Sequence, residues 1–236
     1  MENISLSGKI ALITGASQGI GAAVAKAYAK AGAHVILLAR NVAGLEIVDD
    51  EIREAGGSAT IMPVDLLKLD ELDALGPTLY ERFGKLDIFV GNAGMLGTLG
   101  PLTHADPKEF QKVMNINITA NYRLIRTLDP LLKASDSGRV IFVSTGASVT
   151  KGRAYWGAYS ISKAGLESMA SVYAQETANT NVRVNVIDPG AVRTDMRKSA
   201  KPGEDPNNLP APDDVVEEFL NLAALSCEKH GEIIHL

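Results

Sequence analysis

Tyr159 and Lys163 stand four residues apart in the run Tyr155-Trp156-Gly157-Ala158-Tyr159-Ser160-Ile161-Ser162-Lys163. On a helix the two side chains share one face, one turn apart. A free phenol has a pKa of about 10 and moves protons poorly at neutral pH. A fixed ammonium beside it favours the phenolate and is expected to lower that value. The pair would then give or take a proton near working pH. Tyr-x-x-x-Lys alone also occurs on solvated helix faces, so the rest of the chain has to decide between the two readings.

A second stretch has its own chemistry. The apolar run Ile10–Ile13 leads directly into Thr14-Gly15-Ala16-Ser17-Gln18-Gly19-Ile20-Gly21 and then into a helical pattern over 20–31. Glycines at 15, 19 and 21 allow a tight turn and close backbone approach. They bring a helix N-terminus up to a phosphate, where free N–H groups and the helix dipole favour negative charge. This strand–loop–helix context is what a dinucleotide site requires. The second strand indicates which dinucleotide. No acidic residue lies between Gly21 and Glu46, where a carboxylate would bind the ribose 2′-hydroxyl of NAD, and the strand ends Leu38-Ala39-Arg40-Asn41. Arg40 suits a 2′-phosphate, so NADP(H) is expected ahead of NAD.

The elements that must position these groups alternate along the chain. Apolar runs at 10–13, 35–39, 59–64, 86–90, 140–143 and 182–187 read as buried strands. Between them fall helical patterns over 20–31, 42–55, 69–83, 107–133 and 159–177, with Gly76-Pro77 expected to bend the third. A last helix is expected over 213–226 and a short strand at Ile233-Ile234. This order predicts an α/β protein, a Rossmann-type doubly wound parallel sheet in a single domain over 1–236. A substrate-side segment is expected at about 190–212. Lys201–Pro212 holds four of the ten prolines and reads as a loop that either closes over the substrate or simply connects elements.

Composition narrows the partners. Of 236 residues, 46% are hydrophobic, enough for a large core, and the net charge is −5 with no Lys/Arg stripe. Nucleic acid and anionic membranes are therefore not expected partners. Cys227 is the single cysteine, the N-terminus has no signal-peptide pattern, and no apolar run approaches bilayer length. A soluble, cytoplasmic protein is expected. The four histidines are scattered without metal-ligand spacing, so no metal is expected.

Taken together the motifs resemble the short-chain dehydrogenase/reductase family, with landmarks in order from Thr14 to Thr194. They are Thr14-Gly-x-x-x-Gly-x-Gly21, Val64-Asp65, Asn92-Ala93-Gly94, Tyr159-x-x-x-Lys163, and Pro189-Gly190 with Thr194. The resemblance implies hydride transfer between a nicotinamide and a carbonyl or alcohol substrate. Tyr159 would be the general acid or base. Lys163 would depress its pKa and hold the ribose hydroxyls, and Asn117, chosen over Asn115, would hold a relay water. Cofactor contacts would come from Gly15, Ser17, Gln18, Gly19, Ile20, Gly21, Arg40, Asp65, Asn92, Ala93, Gly94, Pro189, Gly190, Val192 and Thr194, besides Tyr159 and Lys163. Relatives are usually dimers or tetramers that pair the long helices, which implies a homodimer or homotetramer.

One departure stands out. The family's usual Ser lies thirteen residues before the Tyr, which here is Gly146. Counting forward from Gly138-Arg139-Val140 instead reaches Thr145, which implies a one-residue insertion before Tyr159. Thr145 is the expected hydroxyl, with Ser144 and Ser148 as alternatives. The pocket would draw on Met95, Leu96, Leu99, Ala147, Tyr155, Trp156, Val192 and Met196, with Arg153 and Arg193 available to an acid group. A dinucleotide-binding sensor without turnover is the competing reading, left open by the displaced Ser.

Overall fold

Ile10–Thr14 (β1) turns Ala11 and Ile13 to one apolar layer and Leu12 to the other. His34–Ala39 (β2) does the same, with Val35 and Leu37 on one face and Ile36 and Leu38 on the other. A strand covered on both faces has no polar side, which is why these sequences are continuous apolar runs. The computed structural model describes residues 4–236, the side chain of Ala147 excepted. It adds β3 (Ser58–Pro63), β4 (Ile88–Gly91), β5 (Gly138–Val143), β6 (Val182–Asp188) and β7 (Ile233–His235) to one seven-stranded parallel sheet. The strand order is β3-β2-β1-β4-β5-β6-β7. The chain therefore winds outward twice from the boundary between β1 and β4, and the cleft at that reversal is where ligands bind in such sheets.

Helices cover both faces. On one side lie α1 (Gly19–Lys30), α2 (Val42–Glu54) and α10 (Val216–Ala223), through residues such as Tyr28, Leu45 and Phe219. On the other side, α4 (Leu75–Phe83), α6 (Ala120–Lys133) and α8 (Gly157–Thr177) contribute Leu79, Leu128 and Leu166. Shorter helices are α3 (Leu69–Leu72), α5 (Pro107–Met114), α7 (Ala147–Thr150) and α9 (Asp195–Ala200). None is long and apolar enough to cross a membrane among the described residues.

Three elements differ from the sequence expectation. The helix expected over 69–83 breaks at Asp73-Ala74, not at Gly76-Pro77. Pro77 falls in the first turn of α4, where no N–H has to be donated. A Cβ on Gly76 would lie 2.2 Å from the Thr127 carbonyl oxygen, so the close packing of α4 on α6 requires glycine there. The helix expected over 107–133 is interrupted by a π turn, Asn115–Thr119, between α5 and α6. The helix expected over 213–226 is shorter, since Pro212–Val215 winds as a 3₁₀ turn before α10 begins.

At the amino ends of the strands a buried carboxylate joins three elements. Asp87 accepts from the Ile10 N–H at 2.9 Å, the Ser135 hydroxyl at 2.5 Å and Lys85 Nζ at 2.9 Å. Burial alone would raise its pKa, but these bonds hold it below the usual carboxylate value. Asp87→Ala should therefore lose on the order of 2–3 kcal/mol at neutral pH in urea unfolding. A carboxyl with a depressed native pKa stabilises above its unfolded value of about 4 and loses that contribution as pH falls through the native value. The deficit of the variant should shrink in acid; a deficit independent of pH would show that the charge is not what stabilises.

Candidate active site

The carboxyl end of β1 meets that of β4 through one hydroxyl. Thr14 Oγ1 donates to the Val90 carbonyl at 3.2 Å and accepts from the Asn92 and Ala93 N–H groups at 3.0 Å each. Asn92 Nδ2 donates to the Thr14 carbonyl at 2.9 Å. The Asn92 side chain thus shapes the glycine loop from beneath. Gly15 and Gly19 have φ of +67° and +58°, a region that disfavours side chains. A Cβ at Gly21 would lie 2.3 Å from the Gly15 carbonyl oxygen. Only glycine lets α1 begin this close to the loop.

The N-terminus of α1 has no side-chain cap and no acidic residue in its first turn. Its first N–H groups therefore face the cavity with no partner inside the helix. Above them opens a cavity of about 1290 Å³, lined in turn by Ser17, Gln18, Arg40, Asp65, Gly94, Tyr159 and Thr194, among others. Uncapped N–H groups at one end and the exposed Arg40 guanidinium beyond β2 form a row that fits the phosphates of a dinucleotide. The Asp65 carboxylate is held by the Leu67 N–H at 3.0 Å.

Helix α8 brings Tyr159 and Lys163 to the centre of the cavity, both buried. Lys163 Nζ donates to the Val143 carbonyl at the end of β5 at 2.6 Å and lies 5.8 Å from the centre of the Tyr159 ring. The expected lowering of the phenol's pKa is reversed in this geometry. Burial pushes Tyr159 up to about 12, helped by the nearby Asp188 charge and opposed by the Thr145 hydroxyl that faces it. Lys163 is itself dehydrated, which brings it down to about 8, with Glu167 acting in the other direction. Desolvation outweighs the mutual effect of the pair. The phenol therefore holds its proton firmly at neutral pH.

The ambiguity over the hydroxyl is also reduced. Ser144 Oγ donates to Glu167 Oε1 at 2.6 Å and is committed there. Ser148 lines the cavity but is exposed, whereas Thr145 lies against Tyr159. The loop that follows β5 carries α7 before α8 begins.

The π turn places Asn117 where no solvent reaches it. Its Oδ1 accepts from the Met95 N–H at 2.8 Å. Its Nδ2 donates to the Met95 carbonyl at 2.9 Å and to Ser162 Oγ at 2.8 Å, and Ser162 donates in turn to the Tyr159 carbonyl. Asn117 thus clamps the loop after β4 to the start of α8. A Cβ at Gly94 would stand 3.5 Å from both Asn117 Oδ1 and Lys163 Nζ, so glycine keeps the space between them open.

On the far wall, Gly190 turns at φ +66° and donates to Asp188 Oδ1 at 3.0 Å. Asp188 Oδ2 is bonded by His235 Nδ1 at 2.8 Å. Thr194 caps α9 by accepting the Arg197 N–H at 3.2 Å. Pro189, Gly190, Val192, Thr194 and Met196 all line the cavity, as do Ile20, Asn92, Ala93, Met95, Leu96 and Trp156. Leu99 does not, and Tyr155 points to solvent because its backbone is left-handed at φ 71°. Ala147 lies outside the described side chains. The proline-rich stretch lines the same cavity through Pro202, Pro206, Leu209 and Pro212, held down by the Arg197–Glu204 ion pair at 2.5 Å.

This arrangement matches a family. The model of short chain dehydrogenases covers residues 9–205. The chain belongs to that family. The oxidoreductase YciK of Escherichia coli K12 is 40% identical over 218 residues, 91% of this chain and 86% of its own. A short chain dehydrogenase from E. coli CFT073, solved in complex with NADPH, superposes with a TM-score of 0.93 at 39% identity over 100% of this chain and 99% of its own. One from Shigella flexneri 2a, solved with NADP, gives 0.93 at 39% identity over 99% of each chain.

Sequence reasoning passed over Glu167 and Asp188. Glu167 had a signal, since it stands one further turn along α8 from Lys163. Asp188 had none, because its partner His235 is distant in the chain. Glu167→Gln should draw the Lys163 pKa further below about 8 and move the alkaline limb of the pH–rate profile to lower pH. An unmoved limb would mean that Glu167 does not set the charge on Lys163.

Proposed function

We propose that this short chain dehydrogenase is an NADP(H)-dependent oxidoreductase acting on a carbonyl/alcohol pair, with Tyr159 as its general acid in the reducing direction. The observation that carries this reading is the buried phenol, faced by Thr145 and backed by the Lys163 ammonium, in a cavity continuous with the glycine loop. The glycine loop and uncapped α1 N–H groups would hold the pyrophosphate, and Arg40 the 2′-phosphate. When bound, NADPH supplies hydride to the carbonyl carbon. Tyr159 gives its proton to the carbonyl oxygen, and the Thr145 hydroxyl donates a hydrogen bond to the same atom. Such a donor contributes on the order of 10²–10³ in rate. The Lys163 ammonium stabilises the tyrosinate left behind. Asn117, fully bonded and out of reach of solvent, would act by holding the Met95 loop to α8.

With its pKa raised by burial, the phenol carries its proton before reaction, which is the form a general acid in reduction requires. The alternative of a sensor without turnover does not account for the convergence of Tyr159, Thr145 and Lys163. Exposed apolar side chains on α6 (Tyr122) and α8 (Ile161, Val172) support pairing of these helices between copies in a homo-oligomer.

Tyr159→Phe should abolish reduction of ketones and aldehydes while leaving NADPH binding, read by its fluorescence, nearly intact. Surviving turnover would remove Tyr159 from the mechanism. In the same titration, Arg40→Ala should weaken NADPH about tenfold more than NADH, the worth of one charge-assisted hydrogen bond. Equal losses would place the 2′-phosphate elsewhere.

A further inference from the structure

The turn from Arg153 to Trp156 lies beside the machinery assigned above and is built with backbone strain. Tyr155 has φ 71°, in the left-handed region that side chains disfavour, and no other non-glycine residue does so among the described residues. Such strain persists only where the surroundings hold it, and it gathers at functional sites. Here Gly100 N–H donates to the Tyr155 carbonyl at 2.8 Å, and Trp156 N–H donates to the Arg153 carbonyl at 3.1 Å. The result is that Tyr155 faces solvent while Trp156 faces the cavity, its ring 6.0 Å from that of Tyr159.

Arg153 completes the feature. Its guanidinium lies 5.0 Å over the Trp156 ring and lines the same cavity. Arg197 and Lys201 are matched by Glu204, whereas the exposed Arg153, like the cavity-lining Lys112, Arg193 and Lys198, has no salt-bridge partner among the described residues; Arg153 differs from these in resting on the Trp156 ring. It is also remote from the Arg40 end of the site. Arg40 follows β2 and Arg153 follows β5, three strand spacings apart, about 14 Å. A guanidinium whose face rests on an indole still presents its edge, and the planar N–H fork at that edge matches a carboxylate. The cavity that Arg153 and Tyr159 share is also lined by the apolar side chains of Met95, Leu96, Ile116 and Met196.

We propose that Arg153 and Trp156 form a substrate-anchoring subsite for a carboxylate, so that the preferred substrate is a carbonyl compound bearing an acid group on an apolar body. This assignment deepens the reductase reading and rests on it. The acid group would lie at Arg153, the body across Trp156, and the carbonyl at Tyr159 and Thr145.

Trp156 is the single tryptophan of the chain, so its emission reports occupancy without turnover. The full-length protein, in saturating NADP, would be titrated with cyclohexanecarboxylate and with the neutral cyclohexanecarboxamide. The carboxylate should give a saturable change and bind about tenfold more tightly than the amide. Arg153→Gln should erase that difference, and Arg153→Lys, which retains charge but not the fork, should restore only part of it. In turnover, terephthalaldehydic acid should be reduced with about tenfold higher kcat/KM than its methyl ester, the preference collapsing in Arg153→Gln through a higher KM for the acid. Equal binding of carboxylate and amide, or an undiminished preference in Arg153→Gln, would overturn the subsite. Carboxylate binding that persists in Tyr159→Phe separates the two readings. If nothing is reduced but the carboxylate still binds through Arg153, the reductase reading alone fails.

Discussion

A buried ammonium must find oxygen ligands, and Lys163 finds the Val143 carbonyl at 2.6 Å. That bond joins the middle of α8 to the carboxyl end of β5. Tyr159, one turn earlier on the helix, and Thr145, two residues beyond the strand, are brought face to face by it. The Ser144–Glu167 bond, one turn further along α8, repeats the connection and leaves a carboxylate behind the lysine. The charge on Lys163 and the position of Tyr159 therefore depend on the same junction. A change that moved the strand end would alter acidity and geometry together.

The sheet divides its labour between its two edges. At the amino edge, Asp87 gathers an N–H, a hydroxyl and an ammonium, which contribute to stability away from the cavity. At the carboxyl edge, polar groups are left available to a ligand: the uncapped N–H groups of α1, Arg40, and the Tyr159 hydroxyl. Parallel pairing makes this division unavoidable, because every loop after a strand emerges at the same edge. The π turn at Asn115–Thr119 is the local irregularity that serves this edge. It turns Asn117 inward, where an unbroken helix would continue its regular register, and the amide then ties the Met95 loop to α8.

Much of the site was legible in the sequence because its chemistry is local. The glycines at 15, 19 and 21 answer to the turn they make, and Tyr159 and Lys163 to one helix turn. Arg40, singled out by the absence of an acidic residue near it, does line the same cavity. Other features rest on residues far apart in the chain. His235 reaches Asp188, and Asp188 raises the Tyr159 pKa, although forty-seven residues separate the first two. The lowering expected from Lys163 alone failed for a related reason: spacing reports which groups are neighbours but not how much water has been removed from them.

The sequence by itself determined the alternation of strand and helix, the parallel sheet this implies, the phosphate loop and the Tyr–Lys pair. Each of these follows from apolar period, glycine and short spacing, which are written along the chain. Only the tertiary structure decided that Thr145 faces Tyr159 while Ser144 is committed to Glu167, and that Asn117 acts as a clamp. It also decided that burial raises the Tyr159 pKa where the spacing to Lys163 alone suggested a lowering. These outcomes depend on desolvation and on which of several hydroxyls a packed helix can reach, and neither quantity exists until the chain has folded.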